Sequence, residues 1–164
     1  WAVASGARIV NLGFVGPQDP ILSRVFSATA KGGVAIVVAA GEGGSTSSSF
    51  PASDKNVIAV TATDVDDKID ARAGGRAVLA APGVDVLTIR PGGKYDVASG
   101  SSMAAAYAAG VAALILEKNS KAGPDDLLAM LRRSSRVVAG APAASPGVID
   151  AVGLEGTASA KLTP

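Results

Sequence analysis

Two consecutive serines stand at the beginning of a segment built almost wholly from small residues. Ser101 and Ser102 follow Gly100 and precede the sequence MAAAYAAGVAALI. The free backbone N–H groups at the first turn of a helix carry partial positive charge, which stabilises an oxyanion formed beside them. A serine hydroxyl there has the surroundings of an acyl-transfer nucleophile. It also needs a base, and the chain contains no histidine.

The same serines have a structural interpretation. Serine is a favoured helix N-cap, because its side-chain oxygen accepts a hydrogen bond from a free N–H group of the first turn. Such a cap stabilises a helix by about 1 kcal/mol. The Gly-Ser-Ser stretch taken alone favours the cap, so the choice between cap and nucleophile depends on the rest of the chain.

Composition and charge exclude several classes of function. The 164 residues include 15 Lys and Arg against 14 Asp and Glu, and no Cys. This length corresponds to one domain or a large piece of one. The balanced charge predicts no nucleic-acid partner, and no apolar run approaches the length of a membrane span, so no membrane partner is expected. Without Cys there are no disulfides or thiolate metal sites, and we expect no cofactor.

Alternating strand and helix patterns predict an α/β fold with a mainly parallel sheet flanked by helices. A buried strand, a helix with Asp19 at its cap and Gly-Gly at its end, and a second buried strand make one βαβ unit. The predicted strands are residues 7–14, 34–41, 56–64 and two within 77–89; residues 92–100 turn back, and 147–154 form a last short element. The predicted helices are residues 19–33, 101–118 and 123–136.

The loops of the predicted fold indicate where a ligand or a metal ion would bind. Ligands in such sheets bind beyond the carboxyl ends of the strands, so the loops after Leu12, after Ala40 and before Ser101 are the expected site. The charged stretch 64–76 is predicted to be a solvated surface loop, because its carboxylates lack the spacing of a calcium loop. No metal site is expected.

Six segments in order along the chain resemble the motifs of the subtilisin-like serine peptidases, over about residues 10–154. GSSMAAAYAAGVAAL resembles the family's nucleophile motif GTSMAxPHVAG, and VVAAGEGG resembles its VAAGNxG loop. The others are VNLGFVG, FPAS with NVIAVTATD, LAAPGVDVL and GVIDAVGL. The resemblance implies a subtilisin-like fold and serine endopeptidase chemistry.

The resemblance also implies roles for individual residues. It places Ser102 at the nucleophile position and Glu42 where the family carries the asparagine of the oxyanion hole. The residues that correspond to the substrate-pairing strand are Gly13, Phe14 and Val15, and those that correspond to the wall of the specificity pocket are Ala39, Ala40 and Gly41. The short side chains of this wall equally suit the plain end of a buried strand.

The family's aspartate and histidine motifs precede the segment that resembles VNLGFVG, so the resemblance implies that they fall before Trp1. Residues 1–154 are then expected to be the C-terminal half of a catalytic domain whose N-terminal part is lacking, with 155–164 as a tail. This segment alone is expected to be inactive. Its expected partners are its own N-terminal half or a second copy, because open sheet edges recruit partners, and a peptide or protein substrate once it is complemented.

Departures from the family pattern leave a second interpretation open. An ionised Glu42 would repel an oxyanion, and losing the amide donor costs about 10²–10³ in turnover in subtilisin. Ala106 and Tyr107 replace the usual Pro-His pair, and Val15 replaces a glycine and narrows the first specificity pocket. The alternative is a degenerate, non-catalytic subtilase that acts as a binding or scaffold module. A sedolisin-like acid mechanism matches the detailed motifs less well. The sequence does not specify a compartment.

Overall fold

The computed structural model describes residues 1–43, 49–137 and 145–152. The strands are β1 Ile9–Leu12, β2 Ala35–Ala39, β3 Ile58–Thr63, β4 Leu79–Pro82, β5 Val86–Arg90 and β6 Lys94–Ala98. The helices are α1 Pro20–Lys31, α2 Ser101–Lys118 and α3 Pro124–Ser134. The predicted tail, residues 155–164, lies outside the described residues.

The four strands β1 to β4 form one parallel sheet in chain order. The first crossover, β1–α1–β2, follows the prediction. Every residue of β2 and β3 is buried, which explains their continuous apolar sequences. The structure therefore confirms the predicted α/β class with a parallel sheet and flanking helices.

Helix α1 begins and ends where the sequence places its signals. The Asp19 side chain accepts hydrogen bonds from the backbone N–H groups of Ile21 at 2.8 Å and Leu22 at 3.1 Å. Pro20 occupies the first turn, where its missing N–H group costs nothing, and Gly32 is the C-cap. These signals fix the direction in which the chain leaves β1 and enters β2.

The two faces of the sheet have separate cores. Alternate residues of β2 and β3, such as Val37 and Val60, pack against α2 and α3 together with Leu79 and Leu131. The intervening residues pack on the other side with Phe26 of α1 and Phe50, whose ring centroids lie 5.8 Å apart. This layering holds the carboxyl ends of the strands and the start of α2 in a fixed relation.

Helix α2 is apolar on all sides, yet it is covered on one side only within the described chain. Ala104, Ala108 and Ile115 are buried against the sheet, whereas Tyr107 and Leu114 are 39% and 52% exposed. A helix that is apolar all round is normally buried. None of the helices among the described residues is long and apolar enough to cross a membrane.

The hairpin formed by β5 and β6 differs from the prediction. The sequence predicted a turn over residues 92–100, but Lys94–Ala98 is a strand paired antiparallel with β5. The reversal falls earlier, at Gly92 and Gly93, whose φ angles of 83° and 71° suit glycine and a hairpin turn.

The predicted last element is present only as single bridges among the described residues 147–152. Val148 pairs in parallel with Ala80, at the outer side of β4, and antiparallel with Arg136. These bridges still bury Val148 and Ile149 against the sheet. The segment therefore covers the outer edge of β4 without forming a regular strand.

Candidate active site

Three chain segments meet at the carboxyl end of the sheet. They are the residue after β1, the residues after β2 and the beginning of α2. A methyl group placed on Gly13 would lie 3.3 Å from Cβ of Ser102, so the missing side chain lets β1 and α2 approach closely. The structure therefore brings the predicted loops after Leu12 and before Ser101 together.

Ser102 is the second residue of α2 and is half-buried. The N-cap is Gly100, with φ 154° and ψ 161°, which has no side chain to accept a hydrogen bond, and neither serine caps the helix. The capping interpretation of the two serines is therefore wrong. Within the part of the chain that the structure describes, no group hydrogen-bonds to Ser102 Oγ, so this oxygen is available to a substrate or a base.

Ser101 has a different role from its neighbour. It is 4% exposed, and its Oγ accepts a hydrogen bond from the backbone N–H of Gly41 at 3.2 Å. This bond joins the start of α2 to the end of β2. The family resemblance singled out Ser102 and gave Ser101 no role, and no local signal in Gly-Ser-Ser reveals the bond between Ser101 and Gly41.

Glu42 lies directly at the N-terminal end of α2. Its Oε1 accepts a hydrogen bond from the backbone N–H of Ser101 at 3.1 Å. A methyl group placed on Gly100 would lie 2.6 Å from the same Oε1 and 3.5 Å from Ser102 Oγ. The carboxylate thus occupies the positive end of the helix close to the Ser102 hydroxyl, an arrangement that helix electrostatics favour.

A cationic group accompanies this carboxylate. The pKa of Arg72 is raised by its hydrogen bond to Asp70 and, to a smaller extent, by the nearby Glu42 charge. Arg72 is exposed, so solvent screens its effect on Glu42. The direct partner of the Glu42 carboxylate is therefore the backbone N–H of Ser101.

The residues assigned to the substrate strand lie along an accessible edge. Phe14 and Val15 are 49% and 53% exposed. The segment is anchored beyond them by one antiparallel bridge, in which the N–H of Gly16 donates to the carbonyl of Phe50 at 2.9 Å. Val15 faces the other strand end, with Cγ1 3.3 Å from where a methyl group on Gly41 would stand.

The three residues assigned to the pocket wall are not equivalent. Ala39 and Ala40 are 3% and 0% exposed, as in the end of any buried strand. Gly41, with φ 90°, turns the chain toward Glu42 and is the one that faces Val15. Their predicted role in substrate binding is untested by this geometry.

A segment that the sequence assigned to a solvated loop in fact borders the site. Ala73 forms a bridge with Glu42, and the N–H of Gly43 donates to the carbonyl of Arg72 at 2.9 Å. The N–H of Gly74 also donates to the carbonyl of Gly41. Residues 72–74 therefore support the strand end that carries Glu42, and the signal for this was the Gly-Gly pair inside a charged stretch.

The carboxylates of the rest of that loop are engaged in local bonds and ion pairs. Asp67 accepts from Arg136 at 2.7 and 2.9 Å, and Arg136 also pairs with Asp150 at 2.9 Å. The hydrogen bond from Arg136 lowers the pKa of Asp67. The described residues contain no group of three or more His, Cys, Asp or Glu side chains that could hold a metal ion.

Fold and site together define a class. The chain is an α/β protein in which the carboxyl ends of parallel strands and a helix N-terminus converge on a serine hydroxyl. A sequence profile of the Subtilase family matches residues 1–154. The chain belongs to the subtilase family.

Individual relatives agree with this family. M-protease of Shouchella clausii is 39% identical over 123 residues, which are 73% of this chain and 32% of that protein. Subtilisin BL of Lederbergia lenta is 38% identical over 123 residues, or 73% of this chain and 45% of the relative. The fold is similar to that of a solved protease of Pseudoalteromonas arctica, with a TM-score of 0.82 and 25% identity over 93% of this chain and 51% of that one. The chain thus spans about half or less of the length of these relatives.

Proposed function

We propose that this chain carries the nucleophile of a subtilisin-like serine endopeptidase, and that Ser102 is that nucleophile. The observation that carries the proposal is the uncommitted Ser102 hydroxyl at the start of α2, next to the carboxyl ends of β1 and β2. Membership of the subtilase family supports acyl transfer as the reaction.

In this mechanism Ser102 Oγ attacks the carbonyl carbon of a peptide bond. A histidine takes the hydroxyl proton and later gives it to the leaving amine, while an aspartate orients the imidazole. The backbone N–H of Ser102 faces the oxyanion of the tetrahedral intermediate at the positive end of α2. Because these 164 residues contain no histidine, the base and its aspartate come from polypeptide outside them.

The surface on which that polypeptide docks is the open edge of β1 together with the uncovered face of α2. Strand β1 is an outer strand of the described sheet, and Tyr107 and Leu114 expose apolar surface on the helix that crosses it. A parallel strand added beside β1 would end near Gly13 and Ser102, where a base is needed. The partner is the protein's own N-terminal half; a second copy is the alternative.

The 164-residue chain alone is expected to be inactive. In subtilisin, loss of the histidine costs about as much as loss of the whole triad, roughly 2 × 10⁶ in turnover. Near-native hydrolysis by the purified chain, abolished by Ser102→Ala, would contradict the need for an external base.

One observation favours a second function, a non-catalytic binding module. The bond between Glu42 Oε1 and the Ser101 N–H puts a negative charge at the helix end where an oxyanion would develop. On this alternative, Ser102→Ala leaves the biological activity of the protein unchanged.

The experiment compares peptide hydrolysis by three samples. These are the protein expressed from its complete reading frame, the same protein with Ser102→Ala, and the isolated 164-residue chain. We expect activity in the first sample alone. A complete protein that hydrolyses no peptide, or one whose hydrolysis survives Ser102→Ala, contradicts the proposal.

A further inference from the structure

A contact between two residues closes the open end of the β5–β6 hairpin, next to the helix that carries the proposed nucleophile. Asp85 precedes β5 and Ser99 follows β6, beyond the pair formed by Val86 and Ala98. The backbone N–H of Asp85 donates to Ser99 Oγ at 2.8 Å, and Ser99 Oγ donates to Oδ1 of Asp85 at 3.2 Å. Ser99 therefore has two bonds to one residue, and it lies three positions before Ser102.

Asp85 has a backbone conformation that residues with a side chain seldom adopt. Its φ angle is 53°, and among the described residues other than glycine only Asp67 and Asp85 have a positive φ. Aspartate and asparagine tolerate this left-handed region better than most residues. Such a conformation persists where surrounding contacts hold it, and it recurs near functional sites. At Asp85, the contact with Ser99 holds it.

The same two chain segments touch at a second point. The N–H of Gly100 donates to the carbonyl of Gly83 at 2.7 Å. A methyl group placed on Gly83 would lie 2.9 Å from the carbonyl oxygen of Gly100 and 3.0 Å from Cβ of Ala104, near the start of α2. The N–H groups of Gly83 and Val84 both donate to the carbonyl of Thr63, at the end of β3. Residues 99–100 are therefore attached to the central sheet through residues 83–85.

We propose that Asp85 and Ser99 are positioning residues that set the direction in which the chain enters α2, and with it the orientation of the Ser102 hydroxyl. This inference rests on the proposed peptidase function. Glycine restricts the backbone little, so Gly100 alone does not define that direction. Asp85 and Ser99 are exposed, so their contact adds little to the stability of the fold. A misplacement of about 1 Å in an active site, in contrast, lowers a rate by about 100-fold.

The test measures kcat and KM for hydrolysis of one internally quenched peptide by the protein expressed from its complete reading frame. Ser99→Ala removes both hydrogen bonds, so we expect kcat to fall by about 10-fold while KM stays within about twofold of the wild type, because the nucleophile moves and the substrate surface does not. Ser99→Thr keeps the hydroxyl group and should restore most of kcat. Ser120→Ala is the matched control, because Ser120 is an exposed serine beyond the other end of α2.

Substitutions at Asp85 test the other side of the contact. Asp85→Asn tolerates a positive φ and keeps an oxygen that accepts from Ser99, so its kcat should stay within about twofold of the wild type. Asp85→Ala lacks both properties and should lose kcat as Ser99→Ala does. Urea denaturation checks that the variants are folded, and its midpoint for Ser99→Ala should lie close to that of the wild type. A loss of kcat in Asp85→Asn as large as that in Asp85→Ala would overturn the role of these hydrogen bonds.

Hydrogen exchange distinguishes failure of this inference from failure of the peptidase proposal. With or without catalysis, the N–H of Gly100 should exchange about 10-fold faster in Ser99→Ala than in the wild type. If the wild type hydrolyses the peptide, an unchanged kcat in Ser99→Ala, or a loss that Ser99→Thr does not restore, overturns the positioning role and leaves the peptidase proposal standing. If the wild type hydrolyses no peptide, the peptidase proposal fails. Faster exchange then still supports the contact as what holds the start of α2, and unchanged exchange overturns that as well.

Discussion

The carboxylate of Glu42 accepts a hydrogen bond from the backbone N–H of Ser101, with 3.1 Å between Oε1 and N. This contact joins the end of β2 to the start of α2 and supplies the helix end with a negative charge. The same helix end would stabilise an oxyanion formed at Ser102. The effect of Glu42 on an oxyanion therefore distinguishes the catalytic from the non-catalytic interpretation.

Replacing Glu42 with an amide should raise peptidase activity. In the complete protein, Glu42→Asn removes a charge that opposes the oxyanion and supplies a donor, so we expect turnover to rise by about 10²–10³. Steady-state hydrolysis of an internally quenched peptide measures this change. Glu117→Gln, an exposed residue near the other end of α2, is the control and should have no effect. Unchanged or lower turnover in Glu42→Asn would count against the proposed oxyanion site.

Substitutions at the two neighbouring serines should differ in their effect on the stability of the fold. Ser101→Ala leaves the buried N–H of Gly41 without its acceptor, so the free energy of unfolding should fall by about 1–3 kcal/mol. Ser102→Ala breaks no hydrogen bond to a described residue and should change that free energy by no more than about 0.5 kcal/mol. Urea denaturation of the complete protein measures both. Equal losses of stability in the two variants would refute the separate roles.

The core that supports the site should be sensitive to truncation at α3. Leu131 is fully buried between α3 and the sheet, so Leu131→Ala should lower the free energy of unfolding by about 2–5 kcal/mol. Leu87, on the hairpin, is 69% exposed, and Leu87→Ala should change it by about 0.5 kcal/mol or less. Thermal unfolding monitored by circular dichroism compares the two, and a similar effect of both would contradict the assigned packing.

The ion pairs of Arg136 should make stability depend on pH in the acid range. The hydrogen bond from Arg136 lowers the pKa of Asp67 in the folded protein. A carboxyl group with a lowered folded pKa contributes stability above its ordinary value of about 3.9 and loses that contribution as the pH falls through the folded pKa. Between about pH 5 and pH 3, the unfolding free energy of Arg136→Gln should therefore decrease less than that of the wild type.

The size of this effect is limited by solvent, because the side chains of Arg136, Asp67 and Asp150 are 49%, 29% and 30% exposed. Raising the salt concentration should reduce the difference between wild type and Arg136→Gln. Arg133→Gln is the control, since Arg133 is exposed in the last turn of α3, three residues before Arg136, and has no ion pair among the described residues. A pH profile of Arg136→Gln that superimposes on that of wild type would contradict the assignment.

The elements with strong local signals could be predicted from the sequence. Asp19, Pro20 and the Gly-Gly pair after α1 define that helix through caps and backbone restrictions. The β-branched segment before Ala40 predicts a strand buried on both faces. These signals act within a few residues, and the structure confirms both elements.

The features that the sequence did not reveal depend on contacts between distant segments. Residues 94–97 of β6 alternate polar and apolar side chains, but Tyr95 and Val97 remain 74% and 55% exposed. This strand is therefore defined by its pairing with β5 and not by burial of one face, and the sequence predicted a turn there. The different bonding of Ser101 and Ser102 arises from Gly41, about 60 residues away in the chain. The support of Glu42 by Ala73 likewise depends on a long-range bridge.

The most direct test of the central claim is fluorophosphonate labelling of the protein expressed from its complete reading frame, with the modified residue mapped by mass spectrometry. We predict one adduct on Ser102, formed neither in Ser102→Ala nor in the isolated 164-residue chain. Complete protein that is folded yet carries no adduct on Ser102 would contradict the assignment of Ser102 as an activated nucleophile, and the binding-module function would then be favoured.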